Sequence, residues 1–289
     1  MLPLALLAVL TQRAEPAGLE ARLREIVTAS GAEVAVAYET LDGRDRLAID
    51  ADKIFHAAST MKVPVMIELY RQVKAGTLSL ADPLRVTNRF RSIVDGSPYA
   101  LSEEDDSDRE VYAAAGRTLT LGQLCEAMIT VSSNLATNLL IEKLGVENIR
   151  RTVTRLGADA GGGMQVLRGV EDGKAFEKGL NNTTTARGLL TLLLKLAHGE
   201  AVGRPSDAAM IEILERQRFN DGIPAGLPAG LAVAHKTGDI TRINHDAGIV
   251  YASRPYVLVV LVRGIADKKE SSALIARISR TVYESTASR

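Results

Sequence analysis

The sequence predicts an α/β part combined with an all-α part: an antiparallel sheet built from both chain ends with flanking helices, and a helical subdomain inserted between them. Three observations carry this. Alternating, β-branched runs occur near the start, in VAVAYETLDG, and again near the end, in LAVAHKTG, HDAGIVYA and YVLVVLVRG. Between Ser59 and about His198 apolar residues recur instead at helical spacing, and strand patterns are nearly absent. The chain then closes on KESSALIARISRTVYES, again helix-periodic.

Taken in order, the first element is the apolar run Leu2 to Leu10, too short to span a bilayer but long enough for the core of an export signal. No Lys or Arg precedes it, so residues 1–15 read as a signal segment with a clipped start; the alternative is a buried first helix. No cysteine follows the run, which excludes a lipid anchor there. Residues 16–289 read as one domain, its α/β part over about 16–58 and 199–289 and its helical part over about 59–198. PAGLEARLREIVTAS is the opening helix, and STMKVPVMIELYRQVKAG, LTLGQLCEAMITV, SNLATNLLIEKLG, VENIRRTVTRLG and TTTARGLLTLLLKLAHG are the helices of the insert. Two interruptions separate them. RSIVDGSPYALSEEDDSDREVY carries five acidic residues between Glu103 and Asp108 and reads as a solvated loop. GADAGGGMQVLRGVEDGKAFEKGLNN is longer than ordinary connections, and loops of that length are functional or disordered.

Composition narrows the function. At 289 residues and 46% hydrophobic side chains the chain can bury a large core. Lys+Arg and Asp+Glu both total 35, so the basic excess of a nucleic-acid or anionic-membrane binder is missing. Cys125, the one cysteine, allows no intramolecular disulfide and no cysteine-rich zinc site, and its apolar helical setting reads as core. The four histidines show no metal-ligand spacing. The expectation is a monomer acting on a small molecule, with no metal, no cofactor, no nucleic-acid partner and no integral membrane segment.

Three short segments carry chemistry. Ser59-Thr60-Met61-Lys62 begins an amphipathic helix, which sets a nucleophile and a base on one face and supplies free backbone N–H groups for an oxyanion. Apolar neighbours around Lys62 favour its neutral form. Ser132-Ser133-Asn134 falls between two helices: Ser132 is suited to pass a proton to a leaving nitrogen, and Asn134 offers an amide donor and acceptor. Lys236-Thr237-Gly238 ends a strand, where ammonium and hydroxyl suit a carboxylate and the glycine admits a close approach.

With S-x-x-K, S-x-N and K-T-G in this order and these settings, the chain from about Pro16 resembles the class A serine β-lactamases of the penicillin-recognising family. AMITVSSNLATNLL and TTTARGLLTLL are similar to that family as well. The resemblance implies a β-lactamase/transpeptidase-like fold and a periplasmic or secreted enzyme. Ser59 attacks the lactam carbonyl, while Lys62, or a glutamate through water, takes the proton. The backbone N–H groups of Ser59 and Asp239 hold the oxyanion, Ser132 protonates the leaving nitrogen, and Lys236 and Thr237 bind the substrate carboxylate. Asn134, Asn181 and Gly238 line the substrate.

The chain departs from the family pattern at several points. Ser133 stands where the family usually has Asp, and Ser132 follows Ser59 by 73 residues, longer than the pattern, with the acidic stretch between them. The deacylating base has two candidates. Glu177 to Asn181 matches E-x-x-L-N literally but lies close to Thr183, whereas Glu171 lies twelve residues before Thr183, near where the family's base falls. Glu171 is the choice. Arg168 and Asn182 bracket this loop, so closure rests on hydrogen bonds in place of the family's salt bridge. Arg242, just past K-T-G, is a further candidate for the substrate carboxylate. His235 and His245 read as structural. A D,D-peptidase or other serine amidase of the same fold, and a penicillin sensor that acylates once, stay open beside lactam hydrolysis.

Overall fold

The computed structural model describes residues 16–287; the expected signal segment lies outside the described residues. Helix α1 (Pro16–Ser30) leads into β1 (Glu33–Thr40) and β2 (Arg46–Ile49), and β3 (Val233–Ile240), β4 (Ile243–Val250) and β5 (Tyr256–Arg263) return at the far end. They form one sheet in the order β2-β1-β5-β4-β3, antiparallel at every pairing. The β1–β5 register runs from Glu33 opposite Arg263 to Thr40 opposite Tyr256, so both chain ends build the sheet's centre.

Strand β5 explains why its sequence is an unbroken apolar run. Val257, Val259 and Leu261 face one core, and Leu258, Val260 and Val262 face the other, so period-2 alternation has nothing polar to display. The second face is closed by Leu19 and Leu23 of α1 and by Ile275, Ile278 and Val282 of the last helix, α8 (Lys268–Ala287).

Against the first face lies the helical block: α2 (Lys62–Lys74), α3 (Leu121–Thr130), α4 (Asn134–Leu144), α5 (Val146–Arg155) and α6 (Ala186–Ala197). Local signals set their starts. Thr120 and Gln123 form a capping box for α3, and Thr185 accepts from Gly188 N–H at the head of α6. Glu68 of α2 is completely buried, its two oxygens taking hydrogen bonds from Arg71, Gln72 and Thr152.

Two features depart from the sequence reading. A further helix, α7 (Arg204–Glu215), packs against β3. Short strand pairs also punctuate the helical block, Pro83–Arg85 with Thr118–Thr120, Phe90–Arg91 with Pro98–Tyr99, and Phe55–His56 with Thr183–Thr184. At two or three residues each, they are too short for alternation to register. The last pair ties the chain just before Ser59 to the end of the long loop.

Candidate active site

Ser59 sits on a short 3-10 turn, Ala58–Met61, that opens into α2, half-buried at the floor of a cleft of about 840 Å³. Ala58 is held at φ +44°, in the left-handed region that costs a non-glycine residue about 1–3 kcal/mol. Strand β3 crosses directly over this turn. A Cβ on Gly238 would lie 3.2 Å from both Ser59 N and Ala58 Cβ and 3.1 Å from Thr60 Cγ2, so any side chain at residue 238 would crowd the turn that carries Ser59.

Lys62, one turn along, is completely buried. Its Nζ donates to Ser132 O at 2.7 Å, Asn134 Oδ1 at 2.9 Å and Ser132 Oγ at 3.0 Å. Burial pulls its pKa down to about 7, against the opposing pull of the Asp106 and Glu171 carboxylates. An amine with that proton affinity is neutral in a large fraction of molecules near neutral pH and can accept a proton.

Ser132 joins α3 to α4 at φ +59°. Its Oγ also accepts from Lys236 Nζ at 3.1 Å, so one hydroxyl bridges two buried lysines. Lys236 donates to Thr237 O as well, and burial first, then the Lys62 charge, depress its pKa well below the ordinary lysine value. Thr237 and Asp239 line the cleft, Asp239 paired through its carboxylate with Lys268 at 2.6 Å.

Glu171 enters from the long loop at φ +60°. Its Oε1 accepts from Asn134 Nδ2 at 3.0 Å and its Oε2 from Ser102 N–H at 2.9 Å. The residue before it is clamped by Asn138 of α4, which donates to Val170 O and accepts from Val170 N–H. Gly169 permits this, since a Cβ there would lie 2.6 Å from Asn138 Oδ1. Loop closure rests on amides. Asn182 accepts from Leu167 and Arg168 N–H and donates to Arg168 O, while the buried Arg168 guanidinium donates to Leu180 O, Gly169 O and Asn181 Oδ1. Asn181 thereby lines the cleft with its oxygen committed to the loop.

The structure therefore brings together Ser59, Lys62, Ser132, Asn134, Glu171, Asn181, Lys236, Thr237, Gly238 and Asp239. Two candidates stay apart. Glu177 ends the short helix Gly173–Glu177, exposed and off the cleft lining. Arg242 lies in the turn between β3 and β4, off the lining, and donates to Gly264 O at 2.6 Å. Cys125 is fully buried, its thiol pushed up to about 12 by burial. His245, buried and pushed down to about 4, spans from His56 O to Val262 N–H, and His235 is held between Asp246 and Asn220.

The reading of the acidic stretch as a solvated loop is corrected. Glu103, Glu104 and Asp105 are exposed, but Asp106 and Asp108 are buried. Asp106 Oδ2 accepts from Asn134 N–H at 2.9 Å and Leu135 N–H at 3.0 Å, while Ser133 Oγ takes Ala136 N–H. The carboxylate missing at position 133 is thus supplied to the start of α4 from another segment. Asp106 and Asn138 are the residues that sequence reasoning missed; the serine at position 133, a departure from the expected family pattern, was the available signal.

A model of the beta-lactamase enzyme family matches residues 18–286 of this chain. The chain belongs to that family. Among its relatives, a Streptomyces albus G beta-lactamase is 29% identical, covering 92% of this chain and 83% of the relative, and a Nocardia asteroides beta-lactamase is 30% identical, covering 91% and 82%. Among solved structures, PBP-A superposes with a TM-score of 0.80 at 27% identity over 94% of this chain and 96% of its own. An ancestral class A beta-lactamase does so at 0.78 with 26% identity, over 92% and 99%. This family member is accordingly of class A, with the five-stranded antiparallel sheet and helical block of that fold.

Proposed function

We propose that the protein hydrolyses β-lactams through an ester on Ser59. One observation carries the reading: Asn134 joins Lys62 to Glu171, so a proton-accepting amine and a carboxylate are held by one side chain on the wall of the cleft that contains Ser59. Ser59 Oγ attacks the lactam carbonyl as neutral Lys62 takes its proton. The backbone N–H groups of Ser59 and Asp239 receive the oxyanion. As the tetrahedral centre collapses and the C–N bond breaks, Ser132 gives its proton to the leaving nitrogen and is reprotonated by Lys62, along the hydrogen bond already present between them. Lys236 and Thr237 hold the substrate carboxylate. Glu171 then removes a proton from water, whose oxygen attacks the ester carbonyl, and as the C–O bond to Ser59 breaks that proton passes to Ser59 Oγ, freeing the serine and the opened acid.

The apolar run Leu2 to Leu10 supports an exported, periplasmic or secreted protein. The test is incubation with a chromogenic cephalosporin, following turnover and intact mass together. Many turnovers per molecule are expected. One equivalent of stable adduct without turnover would make the protein a sensor, and release of D-alanine from D-alanyl-D-alanine peptides without lactam turnover would make it a peptidase.

A further inference from the structure

The segment from Ser102 to Asp108 does more than widen the interval between Ser59 and Ser132. Its members touch both halves of the site. Ser102 N–H holds Glu171 Oε2, and Ser107 Oγ donates to Val131 O beside Ser132. Asp106, 5% exposed, places one oxygen on the first two amides of α4 and the other on Asp108 N–H. Asp108 in turn accepts from Glu110 and Val111 N–H, anchoring the segment's far end.

We propose that Asp106 is a positioning residue of this active site: it fixes Asn134 between Lys62 and Glu171 and supplies the negative charge that keeps the Lys62 amine able to hold a proton. The geometry gives the first role, because Asn134 is tied at its backbone to Asp106 while its side chain spans Lys62 and Glu171. The charge inventory gives the second. The titratable groups acting on Lys62 are Glu171 from the long loop, Lys236 from β3 and Asp106 from the segment. Tyr112, next to Asp106, has its hydroxyl pushed up by burial and by the Asp106 and Glu171 charges, and so stays neutral. With Lys236 repelling and burial opposing charge, Asp106 and Glu171 are the two counterweights, and Asp106 alone is buried.

The second role rests on Lys62 being the proton acceptor for Ser59, but its measurement does not. Lysine labelled with ¹³C at Cε reports each amine by NMR in the resting protein, the Lys62 signal being assigned by its loss in Lys62→Met. Asp106→Asn keeps an acceptor for the α4 amides and removes the charge, giving up the acceptor for Asp108 N–H. It is expected to lower the Lys62 midpoint by about one unit, whereas Glu104→Gln, which neutralises an exposed neighbour, leaves it in place and Asp106→Glu restores it. The acid limb of the Ser59 acylation rate should move to lower pH by the same amount. If Asp106→Asn is folded and its Lys62 midpoint is unchanged, the proposal is overturned and Asp106 is only a helix cap. If the midpoint moves while the acylation limb does not, Asp106 keeps its effect on Lys62 and it is the assignment of Lys62 as base that fails. Should Asp106→Asn not fold, an unchanged midpoint in a folded Asp106→Ser variant would equally sink the proposal.

Discussion

Lys62 and Lys236 donate to the same atom, Ser132 Oγ, from 3.0 and 3.1 Å. Two ammonium groups sharing one hydroxyl in a buried site repel each other, and the arrangement is relieved when one of them gives up its proton. The pair is thus poised to hold one positive charge more easily than two. A substrate carboxylate brought to Lys236 would supply the missing counter-charge and let Lys236 stay protonated.

Ser59→Ala is expected to abolish both turnover and the covalent mass increase, since Ser59 is the nucleophile of the proposed reaction. Intact-mass measurement after a penicillin pulse checks this. An adduct on Ser59→Ala would assign the nucleophile elsewhere.

Glu171→Gln should let the acyl-enzyme accumulate to about one equivalent, while Glu177→Gln keeps most of its turnover. The hydrogen bonds to Asn134 and Ser102 hold the first carboxylate on the cleft lining, and the second lies off that lining. Gln preserves size but cannot take a proton from water. Trapping by Glu177→Gln alone would reverse the assignment.

Lys236→Ala should lower kcat/KM for carboxylate-bearing lactams about tenfold or more, the effect of losing a charged hydrogen bond in a buried site. Arg242→Ala should stay within about twofold, because its guanidinium is off the cleft lining and donates to Gly264 O, just past the end of β5. Steady-state kinetics on both variants decide the point; equal losses would return Arg242 to the site.

Glu68 makes stability depend on pH. Burial raises its pKa, but hydrogen bonds from Arg71, Thr152 and Gln72 outweigh it and hold the carboxyl below its ordinary value of 4.5. A depressed folded pKa stabilises the native state above the unfolded value, and that contribution disappears as pH falls through the folded one. Glu68→Gln should therefore cost about 1–3 kcal/mol at neutral pH and progressively less in acid. Urea unfolding of both proteins at pH 7 and pH 3 measures it, and a gap of the same size at both pH values would show that charge is not the cause.

The sequence was most legible where one segment carries its own chemistry. Ser59 and Lys62 lie three apart on one helical turn, and Lys236 to Gly238 end a strand whose alternation is plain. Glu171 was singled out by its distance from Thr183, and it lies on the lining of the cleft. Asp106 was not, because its partners are backbone amides of α4, 28 and 29 residues away, which no local pattern announces. Its exposed acidic neighbours made the whole stretch look solvated. Asn138 was hidden in the same way, as its contact with Val170 exists only once the loop is folded back over α4. Arg242 shows the opposite case: it is near K-T-G in the chain but lies off the cleft lining, because proximity in the chain does not fix the direction of a side chain in a turn.

The pairing of β1 with β5 joins residues 230 positions apart, Glu33 and Arg263. A ribosome delivers the first of these long before the second. Until the last strand emerges, β1 has only the short β2 beside it, and α1 lacks the apolar face on which it rests. The nascent chain therefore stays without its central sheet for nearly the whole of synthesis. Cutting the chain between α6 and β3 would part β1 and β2 from the three strands with which they complete the five-stranded sheet.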